Sequence, residues 1–260
     1  MSDWIKFMGT AGARFVVSKQ LRSSAGTWCF FQGKNILIDP GPGTLKSCFS
    51  REQVLNPENL DVVILSHRHL DHSNDVNVII EAMTHGTFTQ RGHVFAPSDA
   101  VNGYEPVIFS HVRGAVESLQ VLKECNSYRV DSLLFETPIR HDHSAETYGL
   151  KFYLKKGCVS FITDTKYSKD LIDKYSGTDL LIMNVLLKEP FPEKDIKHLD
   201  FKTARYLVEG IRPRLAVMTH FGLTMLKNDP VLLASELTKK TGIKVVAATD
   251  DLTLELDQVL

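Results

Sequence analysis

The chain has 260 residues and a formal net charge of −1, with 30 Lys and Arg set against 31 Asp and Glu. That balance argues against a generally basic nucleic-acid binder, and no apolar run approaches the roughly 20 residues of a membrane helix. A hydrophobic content of 43% allows a full core, and a length of this order is compatible with one α/β domain spanning residues 1–260.

In chain order, the pattern predicts a strand at Ile5 to Met8, a hairpin around Gln32-Gly33-Lys34-Asn35 and a strand over Ile36 to Asp39. Pro40-Gly41-Pro42-Gly43 breaks the chain before a short helix. A β-branched run, Asp61 to Leu65, reads as a buried strand leading to His67, and a helix follows near Asp75 to Met83. The segment Gly86 to Asn126, with His93, His111 and Arg113, is expected to build a pocket rim. A strand over Leu133 to Arg140 comes next, then a hairpin turning at Lys155-Lys156-Gly157 and a strand running to Asp164. A helix over Lys169 to Tyr175, a strand Leu180 to Val185, a helix Phe201 to Ile211 and a strand ending at His220 follow. Helix Pro230 to Lys240 ends at Gly242, which suits a C-cap, and strands Lys244 to Ala248 and Leu252 to Leu256 close the order. Two runs of strands, each closed by helices, fit an α/β, four-layer αββα sandwich: two mixed sheets packed face to face with helices outside.

Cys29, Cys48, Cys125 and Cys158 are scattered without a Cys-x-x-Cys pair and read as reduced thiols. Met1-Ser2-Asp3-Trp4 lacks the basic start and apolar stretch of a secretory leader. The expected location is therefore cytoplasmic, with no membrane association.

The densest chemistry lies in Ser66-His67-Arg68-His69-Leu70-Asp71-His72. It places three imidazoles and a carboxylate at the C-terminal end of a buried strand, on a turn into a helix. Imidazole suits zinc, iron, manganese or nickel, and an adjacent carboxylate suits a divalent ion with an open position. Further along, His143, Asp164 and His220 each follow an apolar strand. Singly, each reads as a buried His or a capping Asp as readily as a ligand.

The His-x-His-x-Asp-His pattern resembles the metal signature of the metallo-β-lactamase superfamily. His143 with Gly149, Asp164 with Thr165, and His220 with Phe221-Gly222 resemble its later motifs, in order, over nearly the whole chain. The resemblance implies a two-metal site. His67, His69 and His143 would hold one ion, Asp71, His72 and His220 the second, and Asp164 would bridge, with Asp71 also counted as catalytic. Zinc is the first expectation, with manganese or iron as alternatives. Two such ions, roughly 3.5–4 Å apart, activate water and clamp the attacking and leaving oxygens. Asp39-Pro40-Gly41-Pro42-Gly43 resembles the family's Asp-x-Gly-x-Gly segment. It reads first as a tight turn, with Asp39 bracing the metal-binding turn as the alternative. Arg22-Ser23-Ser24 reads as a solvated loop or a phosphate contact. His141, two residues before His143, supports the ligands from behind, faces the substrate or is a plain surface residue. Strand alternation would put both imidazoles on one side.

His198, in Lys197-His198-Leu199-Asp200, resembles a residue of ribonuclease Z and the cyclic-phosphate phosphodiesterases that protonates the leaving oxygen or steadies the phosphate. General acids contribute typically ~10²–10⁴-fold. Asp200 alone would cap the following helix and leave His198 in the loop. Ribonuclease Z inserts a tRNA-gripping arm between the third-motif His and the bridging Asp, but here the two stand 164 − 143 = 21 positions apart, and a hairpin fills the interval. The resemblance thus points to a dinuclear hydrolase of small anionic phosphodiesters or cyclic phosphates, with no long nucleic-acid partner and with a homodimer compatible with the family. A thioester or lactam hydrolase, a tRNA 3′-processing endonuclease and a mononuclear iron sulfur oxygenase are the alternatives.

Overall fold

The structure, a computed structural model, describes residues 2–49 and 54–260; Met1 of the N-terminal segment lies outside them. Side chains alternate along each strand, and here both faces are apolar. Ile36 and Ile38 of Lys34–Ile38 turn to one face and Leu37 to the other; in Val62–Ile64, Val62 and Ile64 take the first face and Val63 the second. A strand apolar on both sides must be covered on both.

Two mixed sheets meet that demand. The first runs, in spatial order, Thr253–Glu255, Trp4–Phe7, Thr27–Phe31, Lys34–Ile38, Val62–Ile64, His93–Ala96 and Ser118–Val121. Its first three pairings are antiparallel and its last three parallel. The second runs Lys244–Ala247, Leu215–Thr219, Leu180–Leu187, Gly157–Ile162, Leu150–Leu154, Leu133–Thr137 and Asn126–Val130, parallel for three pairings and then antiparallel. Between the sheets lies a core that includes Phe7, Phe31, Ile38 and Phe95 from one side and Phe135, Phe152, Phe161 and Val217 from the other. Outside the first sheet, helix Val76–Met83 buries Val76, Ile79, Ile80 and Met83 against Leu37, Val63 and Val94. Outside the second, helices Phe201–Ile211 and Pro230–Thr241 cover Leu181, Met183 and Ala216. This is the expected αββα sandwich.

Local chemistry fixes the element ends. In helix Phe201–Ile211 the buried Ala204, Leu207, Val208 and Ile211 recur at helical spacing. Asp200 and Thr203 form a reciprocal capping box at its start, and such a cap contributes about 1 kcal/mol. Gly242, with φ of 70°, ends Pro230–Thr241 in the left-handed conformation, as expected.

Two expectations need correction. The predicted strand Leu133 to Arg140 ends at Thr137, because Pro138 cannot donate to a ladder. Arg140–His141 instead pairs with Thr147–Tyr148 in a separate ribbon, so the alternation argument linking His141 and His143 fails. The segment Gly86 to Asn126 is also more than a rim. It supplies His93–Ala96 and Ser118–Val121 to the first sheet, with short helices Ser98–Asn102 and Ser110–Arg113 between them.

Candidate metal centre

Ligands in open α/β sheets collect at the C-terminal ends of parallel strands, and four such ends converge here. After Val62–Ile64 the chain turns through Ser66 and His67, both fully buried. His69 then precedes a one-turn helix, Leu70–Ser73, which carries Asp71 and His72. Asp39, at the end of the adjacent strand and with φ of 53°, holds this turn. It accepts from the Ser66 amide (2.6 Å), the Ser66 hydroxyl (2.6 Å) and His72 Nδ1 (2.9 Å). The Asp39 segment is therefore a brace as well as a tight turn. Gly41 is required within it, since a Cβ there would land on the carbonyl oxygens of Asp71 and Ser24.

The second sheet supplies the remaining groups. Asp164 follows Gly157–Ile162 and is 1% exposed; Asn184 Nδ2 donates to its Oδ1 at 2.8 Å. His220 follows Leu215–Thr219, with Nε2 at 3.0 Å from His72 Nε2 and 3.4 Å from Asp71 Oδ2. His143 donates Nδ1–H to the Lys197 carbonyl (2.9 Å), which sets Nε2 at 3.0 Å from His69 Nδ1. His198 sits behind them, with Nδ1 at 3.7 Å from Asp164 Oδ2 and its ring stacked on His220 at 5.8 Å. The structure thus gathers His67, His69, Asp71, His72, His143, Asp164, His198 and His220 in one cluster.

Hydrogen bonds to the far ring nitrogens orient the near ones, as liganding imidazoles require. Ser66 Oγ donates to Asp39, so its lone pair meets His67 Nδ1–H at 3.0 Å and leaves Nε2 bare. That Nε2 is buried without a partner, as are His198 Nδ1 and His220 Nδ1. Buried polar atoms are rarely orphaned, and these three aim into one space. His67, His69 and His143 form one set of donors lying within 4.8 Å of one another, and Asp71, His72 and His220 form another. Both nitrogen and oxygen sets fit a divalent metal ion. His143, Asp164 and His198 make a further set. Asp39 groups with His67 and His72, but its oxygens are already engaged as a brace.

The electrostatics follow from burial and proximity. Burial pushes His67 well toward the neutral form and His69 in the same direction, reinforced by His72 and His143 respectively. Burial would do the same to His72, but Asp71, Asp39 and Asp164 outweigh it and raise its pKa. Burial would raise Asp71 and Asp164, yet the surrounding imidazoles hold both below the usual carboxylate range. Burial lowers His198 to about 4, with Asp164 opposing.

Other sequence candidates lie elsewhere. His141 is buried, with Nε2 at 3.0 Å from the Tyr175 hydroxyl and Nδ1 at 3.2 Å from Thr163 Oγ1, next to Asp164, which leaves the supporting position of the three alternatives. Arg22 reaches Thr10 and Ser23 meets Asp250, while Ser24 is buried beside Asp71 and His220 in a small cavity. His93 contacts Ser118, His111 contacts Glu81, and Arg113 holds the Ile108 carbonyl. Sequence reasoning missed Asn184, although a lone polar residue inside the apolar run Leu180–Leu187 was a readable signal.

Residues 34–221 match the sequence pattern of the beta-lactamase superfamily domain. Over 97% of its length the chain is 29% identical to an uncharacterized protein of Methanocaldococcus jannaschii, 94% of which is covered. The metallo-beta-lactamase fold protein YhfI from Bacillus subtilis superposes with a TM-score of 0.78 at 16% identity, covering 98% of this chain and 99% of that one. A diphosphatase from the PhnP family superposes with a TM-score of 0.70 at 19% identity, covering 97% of each chain. With its strand-end histidines and aspartates in order along a four-layer sandwich, the chain belongs to the metallo-β-lactamase superfamily.

Proposed function

We propose that the protein is a metal-dependent phosphodiesterase acting on small phosphodiesters or cyclic phosphates. The observation that carries this reading is His198. It is half-buried at the edge of the cluster, with a buried ring nitrogen that has no hydrogen-bond partner, and it also lines a cavity of about 480 Å³. In this reading His67, His69 and His143 hold one ion, Asp71, His72 and His220 the other, and Asp164 lies between them. Ions bound there, zinc before manganese or iron, supply an activated water and positive charge at phosphorus.

The chain's own groups do the rest. Asp39 and the Lys197 carbonyl fix the tautomers of His72 and His143, and Asn184 fixes the rotation of Asp164. His198 serves the leaving oxygen or steadies the phosphate. Alone it is held to about 4 by burial, and an anionic phosphodiester set against the ring supplies the opposite charge that raises it. Between His143 and Asp164 stand only one strand of the short ribbon, Thr147–Tyr148, and the hairpin Leu150–Leu154 with Gly157–Ile162. With that plain hairpin and a net charge of −1, the reading takes a small substrate rather than a long RNA.

The test is turnover of phosphodiesters by protein reconstituted with Zn or Mn, with metal stoichiometry on the same sample. His198→Ala should retain both metals. With an alkoxide leaving group it should lose about 10²–10⁴-fold in rate, and with p-nitrophenolate, which needs little protonation, much less. Two metals without phosphodiester turnover would move the assignment to thioesters or lactams. Loss of metal in His198→Ala would make it a ligand instead.

A further inference from the structure

The segment between Leu187 and His198 faces a cavity together with Lys166 and Tyr167, the two residues that follow Thr165. The cavity measures about 480 Å³, and His198 is among the residues that line it. Its wall is rich in carbon: Tyr167, Pro190, Phe191 and Pro192 contribute flat or rigid faces. Phe191 is 45% exposed and stacks on no other ring among the described residues. The Tyr167 ring, by contrast, is positioned by Tyr206 at 5.7 Å. A lone exposed aromatic is ordinary, but this one lines a cavity that a candidate catalytic group, His198, also lines.

The charges at the cavity suggest what it takes. Lys166 pairs with Asp195 at 2.6 Å, leaving Lys194 as the remaining ammonium on the wall. A subsite for a second phosphate would concentrate cations. Here an aromatic face is edged by one ammonium and one ion pair, which suits a planar, uncharged ring with donors and acceptors on its rim. The loop is also tied to the cluster. Lys197 gives its carbonyl to His143 Nδ1 and its ammonium to Asp142 Oδ1 (2.7 Å), and His198 N bonds to the Ile196 carbonyl.

We propose that this cavity is the leaving-group subsite, and that it takes a planar aromatic substituent such as a nucleobase, stacked against Phe191 and Tyr167. The inference rests on the phosphodiesterase reading and narrows its substrate class. Water adds its oxygen to phosphorus. The P–O bond to the substituent breaks with its electron pair on the leaving oxygen, and that oxygen takes one of the two protons water brings.

The experiment measures competitive inhibition of bis(p-nitrophenyl) phosphate turnover by adenosine 5′-monophosphate and by ribose 5-phosphate. Stacking of one base is expected to make the nucleotide the tighter inhibitor by about tenfold. Phe191→Ala and Tyr167→Ala should each narrow that gap severalfold while retaining metal stoichiometry, and ribose 5-phosphate inhibition should not change. Equal inhibition by the two compounds in the wild-type protein overturns the subsite and leaves the phosphodiesterase reading standing, as does a gap that both variants preserve. Absence of metal-dependent turnover overturns the phosphodiesterase reading itself and the subsite with it.

Discussion

Asp39 touches no proposed substrate, yet its removal should disturb both folding and metal binding. In Asp39→Ala the Ser66 amide and His72 Nδ1–H lose their acceptor, and both residues are buried, at 0% and 5% exposure. Each stranded donor costs about 1–3 kcal/mol. The Ser66 hydroxyl can turn elsewhere, so the metal-free protein should lose about 4 kcal/mol. For a chain of this length that is roughly 10 °C in Tm. Metal affinity should fall about 10–100-fold, because the His72 ring is no longer oriented. Thermal melts in chelator isolate the first effect, and competition against a chromophoric chelator isolates the second. If the chelated variant melts within about 2 °C of wild type, or metal affinity changes less than about threefold, the bracing argument is wrong.

Other perturbations probe separate parts of the site. His67→Ala and Asp164→Ala should each lower metal stoichiometry and abolish metal-dependent activity; elemental analysis showing two ions retained in either variant would refute the ligand assignment. Gly41→Ala should also lose metal, since its Cβ collides with the backbone of Asp71 and Ser24; normal metal content would show that the turn can yield. His141 has its pKa lowered by burial to about 3, so between that value and about 6.5 the unfolded chain binds the extra proton. Stability should therefore fall as pH drops from 6.5 toward 3, with about 2 kcal/mol lost between pH 7 and pH 5. Urea denaturation of the chelated protein at both pH values should show a smaller loss in His141→Gln, and an unchanged loss would refute the assignment.

What the sequence revealed depended on how local each determinant was. His67 to His72 was legible because one strand end and one turn carry three imidazoles and a carboxylate in six positions. Helix Phe201–Ile211 was found to the residue because its cap and its periodic apolar face are both local. Asp39 looked like a plain turn because its partners, Ser66 and His72, lie 27 and 33 residues away. His141 was undecidable for a similar reason. Thr163 donates to the Tyr148 carbonyl and so receives His141 Nδ1–H, leaving Nε2 to accept from the Tyr175 hydroxyl. Those partners come from three segments. Ser118–Val121 escaped notice as an edge strand that is only half-buried and has little alternation.

The spacing inside the cluster says more than its composition. Asp164 Oδ2 lies 3.5–3.8 Å from His67 Nε2, His72 Nε2, His143 Nε2 and His198 Nδ1. These separations exceed ordinary charge-assisted hydrogen bonds, at about 2.7–2.9 Å. Donors bound to one tetrahedral ion at about 2.1 Å lie roughly 3.4 Å apart. The Asp164 contacts are near that edge length, as is the 3.4 Å between His220 Nε2 and Asp71 Oδ2. Asn184 therefore holds Asp164 at a spacing that suits a cation shared with its neighbours better than a shared proton, while the His72–His220 and His69–His143 pairs stand closer, at 3.0 Å. The same cluster leaves buried ring nitrogens of His67, His198 and His220 unpartnered. A fold selected for stability alone would close those gaps; one that keeps them open gives up stability to hold a binding site ready.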